Sequence, residues 1–264
     1  MTDELDGEGP EAPRRRRVRL DVAYEGSAFR GFARNEGVRT VGGDLEERLS
    51  ALCREPVSLT AAGRTDAGVH ARHQVVTFDA PEDRIDLDRW MRSLNKQGGG
   101  SVVVTAAAVV DDEFDARFSA RWRRYRYFVR NRPTPDPFRA HVAWWVPDDL
   151  DLEAMRVGSG AFVGQHDFAA FCRRAYRADG EPLPLVRRVL DAGWREEGEE
   201  LCFEITAAAF CHQMVRSITG TLVDVGRGRI DPHALPGIIE SRDRSKAGQL
   251  APPHGLHLWD VGYD

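Results

Sequence analysis

Gly63-Arg64-Thr65-Asp66-Ala67-Gly68-Val69-His70-Ala71 is the stretch around which the chain is organised. It joins two segments of β character, Val57–Ala62 before it and Gln74–Ala80 after it, and this strand-loop-strand unit decides the fold. Two glycines bracket a single carboxylate, with an arginine just upstream and a histidine just downstream. Glycine permits backbone conformations and close approaches that a Cβ forbids, so Asp66 is expected on a tight, shaped loop. An aspartate side chain is ionised in water at neutral pH. It can serve as a nucleophile or as an electrostatic partner without a base to activate it. The same spacing also suits an ordinary turn in which Asp66 bonds its own backbone. The surrounding sequence has to separate the two readings.

Upstream, Val18, Leu20, Val22 and Tyr24 alternate with Arg19, Asp21 and Ala23, the period of a strand with one buried face. Gly26, Gly31 and Gly37 mark a long loop, and Val41, Leu45, Leu49 and Leu52 then recur at helical spacing up to Pro56. Downstream, Asp86 is placed to cap a helix presenting Leu87, Trp90, Met91 and Leu94; Gly98-Gly99-Gly100 ends it, and Ser101–Val110 is an apolar strand. The order β-α-β-β-α-β is the ferredoxin-like split unit, in which two helices cover one face of an antiparallel sheet. The other face is expected to be free for a ligand or partner.

The second half repeats that order less cleanly. Strands are expected at Arg121–Arg130, with an extra one at His141–Val146, and at Val186–Arg195, Leu201–Ala208 and Leu256–Val261. Helices fit residues 152–163, 212–225 and 233–242, and residues 164–185 read as a long polar loop carrying His166, Phe168, Phe171 and Tyr176. The chain is therefore read as α+β: an acidic tail and basic run over residues 1–16, a ferredoxin-like half over 17–112 carrying the Asp66 loop, and a second over 113–264.

Of 264 residues, 42% are hydrophobic and 30% charged, the balance of a soluble globular chain. No apolar run approaches the roughly 18 residues needed to span a bilayer, and the acidic N-terminus has no apolar signal segment. Cys53, Cys172, Cys202 and Cys211 form no C-x-x-C pair, so free thiols in a cytoplasmic protein are expected. The net charge of −5 argues against nucleic acid at first. It comes from the acids of the first eleven residues; the remainder is formally neutral, and all its bases except Lys96 and Lys246 are arginines. Arginine suits bidentate phosphate contacts and stacking on bases.

Two further stretches carry chemistry. Residues 121–132 hold six arginines and no acid, interleaved with aromatics. On a strand, Tyr125, Tyr127 and Val129 face one way and Arg124, Arg126, Phe128 and Arg130 the other. Guanidinium groups meet phosphates and rings stack on unpaired bases, although an edge strand protected by charge gives the same pattern. In Phe210–Ile218, helical periodicity turns Arg216 away from the apolar stripe. It is then either a solvated arginine or one reaching into a groove between the halves, where Asp66 could meet it. His70, His73, His166 and His212 form no H-x-x-x-H or H-E-x-x-H pattern and have no cysteine pair beside them, so structural or surface roles are expected and no metal. No phosphate-binding or dinucleotide glycine motif stands between a strand and a helix.

These residues resemble the TruA family of tRNA pseudouridine synthases. Gly63–Ala71 is similar to the family's active-site motif, and Tyr24-x-Gly26-x-x-Phe29-x-Gly31-Phe32 to its first strand and loop. Phe114-x-x-Arg117-Phe118-Ser119 with Arg124-Tyr125-Arg126-Tyr127 resembles the start of its second half, Ala209-Phe210-x-His212-x-Met214-Val215-Arg216 its late helix, and Gly255-Leu256 with the final strand its end. The matches run in order over nearly the whole chain. The resemblance implies the pseudouridine synthase fold, with two ferredoxin-like halves around a cleft, a homodimer, and neither cofactor nor metal. It implies Asp66 as the catalytic nucleophile, Tyr125 stacking on the target base, and Arg64 and Arg216 holding RNA and orienting Asp66. Arg124 and Arg126 are further RNA contacts. The implied substrate is uridine in the anticodon stem-loop of tRNA, in the family at nucleotide positions 38 to 40.

The chain departs from the family's pattern at Val41-Gly42-Gly43, where a late helix start is expected, at Lys96–Gly99, and at Phe32, where tryptophan is common. Two rival readings remain: a non-catalytic tRNA-binding or folding protein on the same platform, and a metal-dependent hydrolase using Asp66 and nearby histidines.

Overall fold

Strand β1 spans Arg15–Tyr24, and its alternation puts Val18, Leu20 and Val22 in the core. The structure, a computed structural model, describes residues 14–173, 179–181 and 183–264. The acidic tail and Tyr176 lie outside the described residues. The basic run is not part of a tail: Arg15, Arg16 and Arg17 belong to β1 because carboxylates across the strand pair them, Glu55 at 2.7 Å, Glu82 at 3.2 Å and Asp79 at 2.5 Å.

Helix α1 covers Val41–Cys53 and starts at once, with Thr40 Oγ1 accepting from the Gly43 N–H. The expected late start is wrong because Gly42 is used for contact: a Cβ there would lie 2.6 Å from the Phe32 carbonyl oxygen. Strand β2 is only Thr60–Ala61, shorter than read, because side chains of α1 take the preceding N–H groups. Ser50 Oγ accepts from Val57 N and Glu46 Oε1 from Leu59 N. Strand β3, His70–Pro81, begins earlier than expected. Helix α2, Leu87–Gly98, is capped by Asp86 as expected, and strand β4 is Val102–Val109.

In the second half the strands are β5 (Trp122–Arg130), β6 (Trp144–Trp145), β7 (Gly164–Asp167), β8 (Val186–Glu197), β9 (Glu200–Ala207) and β10 (Leu256–Gly262). The helices are α3 (Leu152–Ser159), α4 (Met214–Gly226) and α5 (Leu235–Ser241). Strand β7 lies where a polar loop was expected; four residues are too few to show a period, and only pairing with β8 makes them a strand. α4 starts at Met214 because Gln213 takes a left-handed φ of 66°, which leaves His212 outside the helix.

All ten strands form one sheet with the path β4-β1-β3-β10-β5-β9-β8-β7, β2 lying beside β3 and β6 beside β5. Each half keeps the ferredoxin-like order, β4-β1-β3-β2 in one and β10-β5-β9-β8 in the other. The halves share a sheet because β3 offers one edge twice. Its far end pairs antiparallel with β2, and its start pairs in parallel with β10, at His70 with His257 and Ala71 with Leu258. Residues of all five helices and of alternate strand positions join one continuous core on one sheet face. The opposite face carries a small cluster of Phe128, Ala143 and Cys202 beside Trp259. That face was expected to take a ligand. The main cleft instead opens on the helix-bearing side, between α1 and the start of α4.

Candidate active site

The Asp66 loop is held by the first strand and the loop after it. Tyr24, at the end of β1, shares a 2.8 Å hydroxyl-hydroxyl bond with Thr65, and burial pushes its phenol up to about 12, so it stays protonated. Phe32 N donates to the Thr65 carbonyl at 3.1 Å, and Gly68 N to the Phe29 carbonyl at 3.3 Å. Val69 N closes the turn on the Asp66 carbonyl at 3.1 Å. Gln74 fastens the other side, donating from Nε2 to the Gly63 carbonyl at 2.6 Å. Two upstream glycines have no substitute. Gly26 lies where a Cβ would sit 2.0 Å from the Val69 oxygen, and Gly31, at φ +101°, packs its Cα against the Thr65 carbonyl. This is the physical content of the Tyr24–Phe32 motif: it is the mould of the catalytic loop.

The other half brings two cationic or donor groups to the carboxylate. Arg216 Nη1 donates to Asp66 Oδ2 at 3.2 Å, while its Nε donates to the Ala251 carbonyl at 2.8 Å. His212 Nε2 stands 3.2 Å from Asp66 Oδ1. A carboxylate oxygen only accepts, so this contact places a proton on His212 Nε2. Asp66 keeps a quarter of its side-chain surface exposed, and Arg216 about half that share. The carboxylate is therefore oriented from two sides but still open to the cleft. The left-handed Gln213 between His212 and α4 is strained backbone at the site, of the kind that costs about 1–3 kcal/mol and persists where surroundings enforce it.

Tyr125 on β5 lines the same cleft, nearly buried, with burial raising its phenol well above the usual range. Phe210 meets its ring edge-on, at a centroid distance of 5.0 Å and 86° between planes. Arg123, two residues earlier and also buried, donates to the carbonyls of Ala62, Arg117, Ala120 and Ala208. It ties together the segments that lead into the Asp66 loop, into the β5 approach and toward His212. The cleft these groups line has a volume of about 880 Å³.

The structure thus brings Asp66, Arg64, Tyr125 and Arg216 to one cleft. Arg64 is exposed there and makes no side-chain hydrogen bond or ion pair among the described residues. Arg124 and Arg126 are not in it. They stand on the opposite sheet face, as strand alternation requires: Arg126 bonds Glu204 at 2.7 Å and covers the Trp259 ring at 4.0 Å, and Arg124 bonds Thr206. His212 and Arg123 were missed as site residues. Arg123 carried a signal, being a charge at the same strand parity as the apolar Tyr125, Tyr127 and Val129. His212 carried one only through its place beside Arg216 in a single motif.

His70 is structural. Gly26 N donates to its Nδ1 at 2.9 Å, so Nε2 carries the proton and donates to the His254 carbonyl at 3.0 Å. Its ring stacks on His257 at 4.6 Å. His73 bonds Asp260 at 2.7 Å, and His166 bonds the Val163 carbonyl at 3.0 Å. Among the described residues no three His, Cys, Asp or Glu side chains gather into a metal-binding group, and the four cysteines are free thiols.

Comparison with known proteins gives the same direction over most of the chain. The family model described as tRNA pseudouridine synthase matches residues 22–119 and 159–264. The tRNA pseudouridine synthase A of Bacillus subtilis (strain 168) is 39% identical over 250 residues, covering 94% of this chain and 99% of that protein. That of Leifsonia xyli subsp. xyli (strain CTCB07) is 40% identical over 268 residues, covering 94% and 91%. That of Caldicellulosiruptor bescii is 37% identical over 248 residues, covering 94% and 100%. With the Asp66 loop, its mould and the arginine of the late helix all in matching order, the chain belongs to the tRNA pseudouridine synthase family.

Proposed function

We propose that the chain isomerises uridine to pseudouridine in the anticodon stem-loop of tRNA, at positions 38 to 40, with Asp66 as its catalytic carboxylate. The observation that carries this reading is a partly exposed carboxylate, held between Arg216 and His212, in a cleft shared with Tyr125. The reaction breaks the C1′–N1 bond, joins C1′ to C5 and releases the C5 proton to solvent. It transfers no electrons and consumes no water. A lone carboxylate can begin it by attack on the base, by attack on the sugar or by removing a ribose proton. Each route needs one oxygen held beside the glycosidic bond and a pocket that keeps the detached uracil while it turns.

The residues divide that work. Flipping the target nucleotide costs a few kcal/mol, and stacking on an aromatic ring is worth about 1–3 kcal/mol. Tyr125 supplies the ring, and Phe210 fixes its tilt. Arg216 orients Asp66 and balances its charge, with the Nε bond to Ala251 locking the guanidinium. His212 holds the second carboxylate oxygen. Arg64, exposed in the cleft, meets RNA phosphate. The two halves, 17–112 and 113–264, supply the carboxylate and the cation respectively. A homodimer acting in the cytoplasm without cofactor or metal completes the reading; among the described residues no helix is long and apolar enough to cross a membrane.

The test uses tRNA tritiated at uridine C5. The wild type releases tritium to water and Asp66→Ala releases none; equal release from the variant refutes the assignment. A non-catalytic tRNA-binding protein on this platform predicts no release from either, and the relatives, all named as synthases, give it no support.

A further inference from the structure

Phe118 is 78% exposed, although it lines the same cleft as Asp66 and Tyr125. Single apolar side chains in water are common, but this one is held out by a fixed backbone. Asp115 Oδ1 accepts from the N–H groups of Arg117 at 2.7 Å and Phe118 at 2.8 Å. Ser119 returns the bond, its Oγ accepting from Asp115 N at 3.0 Å. Ala116 is tied on both sides, its N–H to Thr77 Oγ1 at 3.2 Å and its carbonyl to the Tyr263 hydroxyl at 2.8 Å. Arg123, the buried guanidinium at the base of the cleft, holds the Arg117 carbonyl. A turn with this many bonds cannot fold its phenylalanine inward, so the exposure is built in.

The ring also has a cation beside it: the Arg117 guanidinium lies 5.2 Å from its centroid. An exposed aromatic with an adjacent guanidinium on a rigid turn is a stacking platform for a nucleobase. It is a different place from the slot of Tyr125, which is nearly buried on the cleft floor. When a target nucleotide leaves its stack, the neighbouring base loses one stacking partner.

We propose that Phe118 replaces that partner, stacking on an unpaired base that flanks the target uridine. The proposal rests on the cleft taking RNA, as argued above, and adds a second base subsite to it. Stacking there is present before and during the reaction, so it is read in KM and not in kcat.

The test compares Phe118→Ala, Phe118→Leu and Phe118→Trp. Phe118→Ala is expected to raise KM for tRNA about 5- to 150-fold, with kcat within about twofold and an unchanged melting temperature, because the side chain packs on little. Phe118→Leu, apolar without a π face, should behave like alanine, and Phe118→Trp should restore KM. An anticodon stem-loop RNA with 2-aminopurine beside the target should lose fluorescence on binding wild type and keep it on binding Phe118→Ala. A wild-type KM in Phe118→Ala or Phe118→Leu, a loss confined to kcat, or a changed oligomeric state in sedimentation overturns the proposal. Should the wild type release no tritium, the functional reading fails by itself, and the quenching experiment still decides for or against Phe118.

Discussion

Replacing Gly31 by alanine tests whether the loop upstream of α1 positions the catalytic carboxylate. Gly31 has φ +101°, and a Cβ there would lie 3.0 Å from the Thr65 carbonyl oxygen and 3.5 Å from the carbonyl carbon of Asp66. Two costs follow. Left-handed backbone costs an L-residue about 1–2 kcal/mol. The contact then adds displacement: ordinary contact begins at 3.4 Å, so the Thr65 carbonyl has to retreat by a few tenths of an ångström. A misplacement of 1 Å costs about 100-fold in rate, so a shift of about 0.4 Å next to Asp66 scales to roughly a sixfold fall in kcat. Gly37 is the matched control, with φ +75° and nothing within 4 Å of its Cβ position. Gly37→Ala should pay the backbone cost alone, lowering the melting temperature by about 2–8 °C at this chain length, with kcat unchanged. Tritium release at saturating tRNA and urea unfolding are measured on both. If Gly31→Ala loses stability as Gly37→Ala does but keeps wild-type kcat, Gly31 does not position Asp66 and the mould argument is wrong.

Arg216→Met removes donors to both Asp66 and Ala251 from a largely buried position; kcat/KM should fall about 100- to 1000-fold, the usual loss for one electrostatic stabiliser. Arg216→Lys keeps the charge but cannot span both acceptors, so it should recover only part, and a methionine variant within tenfold of wild type would refute the role. Stability should also fall with acid through a buried histidine pair. Burial, with His70 alongside, holds His257 down at about 3, and burial also lowers His70. Both bind fewer protons folded than unfolded, so their contribution is complete above about pH 6.5 and is lost as pH falls toward 3, by about 1.4 kcal/mol per unit per group. His73, raised chiefly by its bond to Asp21, runs the other way: its contribution is present below about 6.5 and is lost as pH rises through its folded value. Urea unfolding of His257→Gln between pH 4 and 6.5 should show a slope smaller by about one proton; an unchanged slope contradicts the assignment.

What the sequence revealed follows the range of each interaction. β1, α2, β5 and β9 were legible because alternation and helical spacing are local, and Asp86 marked its own helix start. β2 was overread because Glu46 and Ser50, on another element, take the N–H groups a longer strand would use. β7 was missed because only its partner makes it a strand. At the site, the orientation of Arg216 could be read from its helix, but its partner lies 150 residues away and was only a guess from the groove. His212 was set aside as structural because no local pattern joins it to Asp66; the left-handed Gln213 that aims it is invisible in composition. Alternation also foretold that Arg124 and Arg126 turn away from Tyr125, so counting them with it as cleft residues ran against the strand's own period.

The least legible feature is the one that makes a site of these parts. The carboxylate and its arginine come from opposite halves, and their register depends on two residue pairs between β3 and β10. Those pairs begin at His70, at the exit of the Asp66 loop, and they are backed by the His70–His257 stack and the bond to the His254 carbonyl. On the far side of the same C-terminal segment, Ala251 accepts from Arg216 and the Tyr127 hydroxyl donates to the Pro252 carbonyl. One short run, residues 251–258, therefore touches both the carboxylate's loop and the carboxylate's cation. A parallel junction of two pairs has little hydrogen-bond strength of its own, so the precision of the site rests on the side chains that clamp this run. That is why a histidine with no part in the chemistry stands inside the catalytic motif: His70 fixes where one half ends its loop against the strand that carries the other.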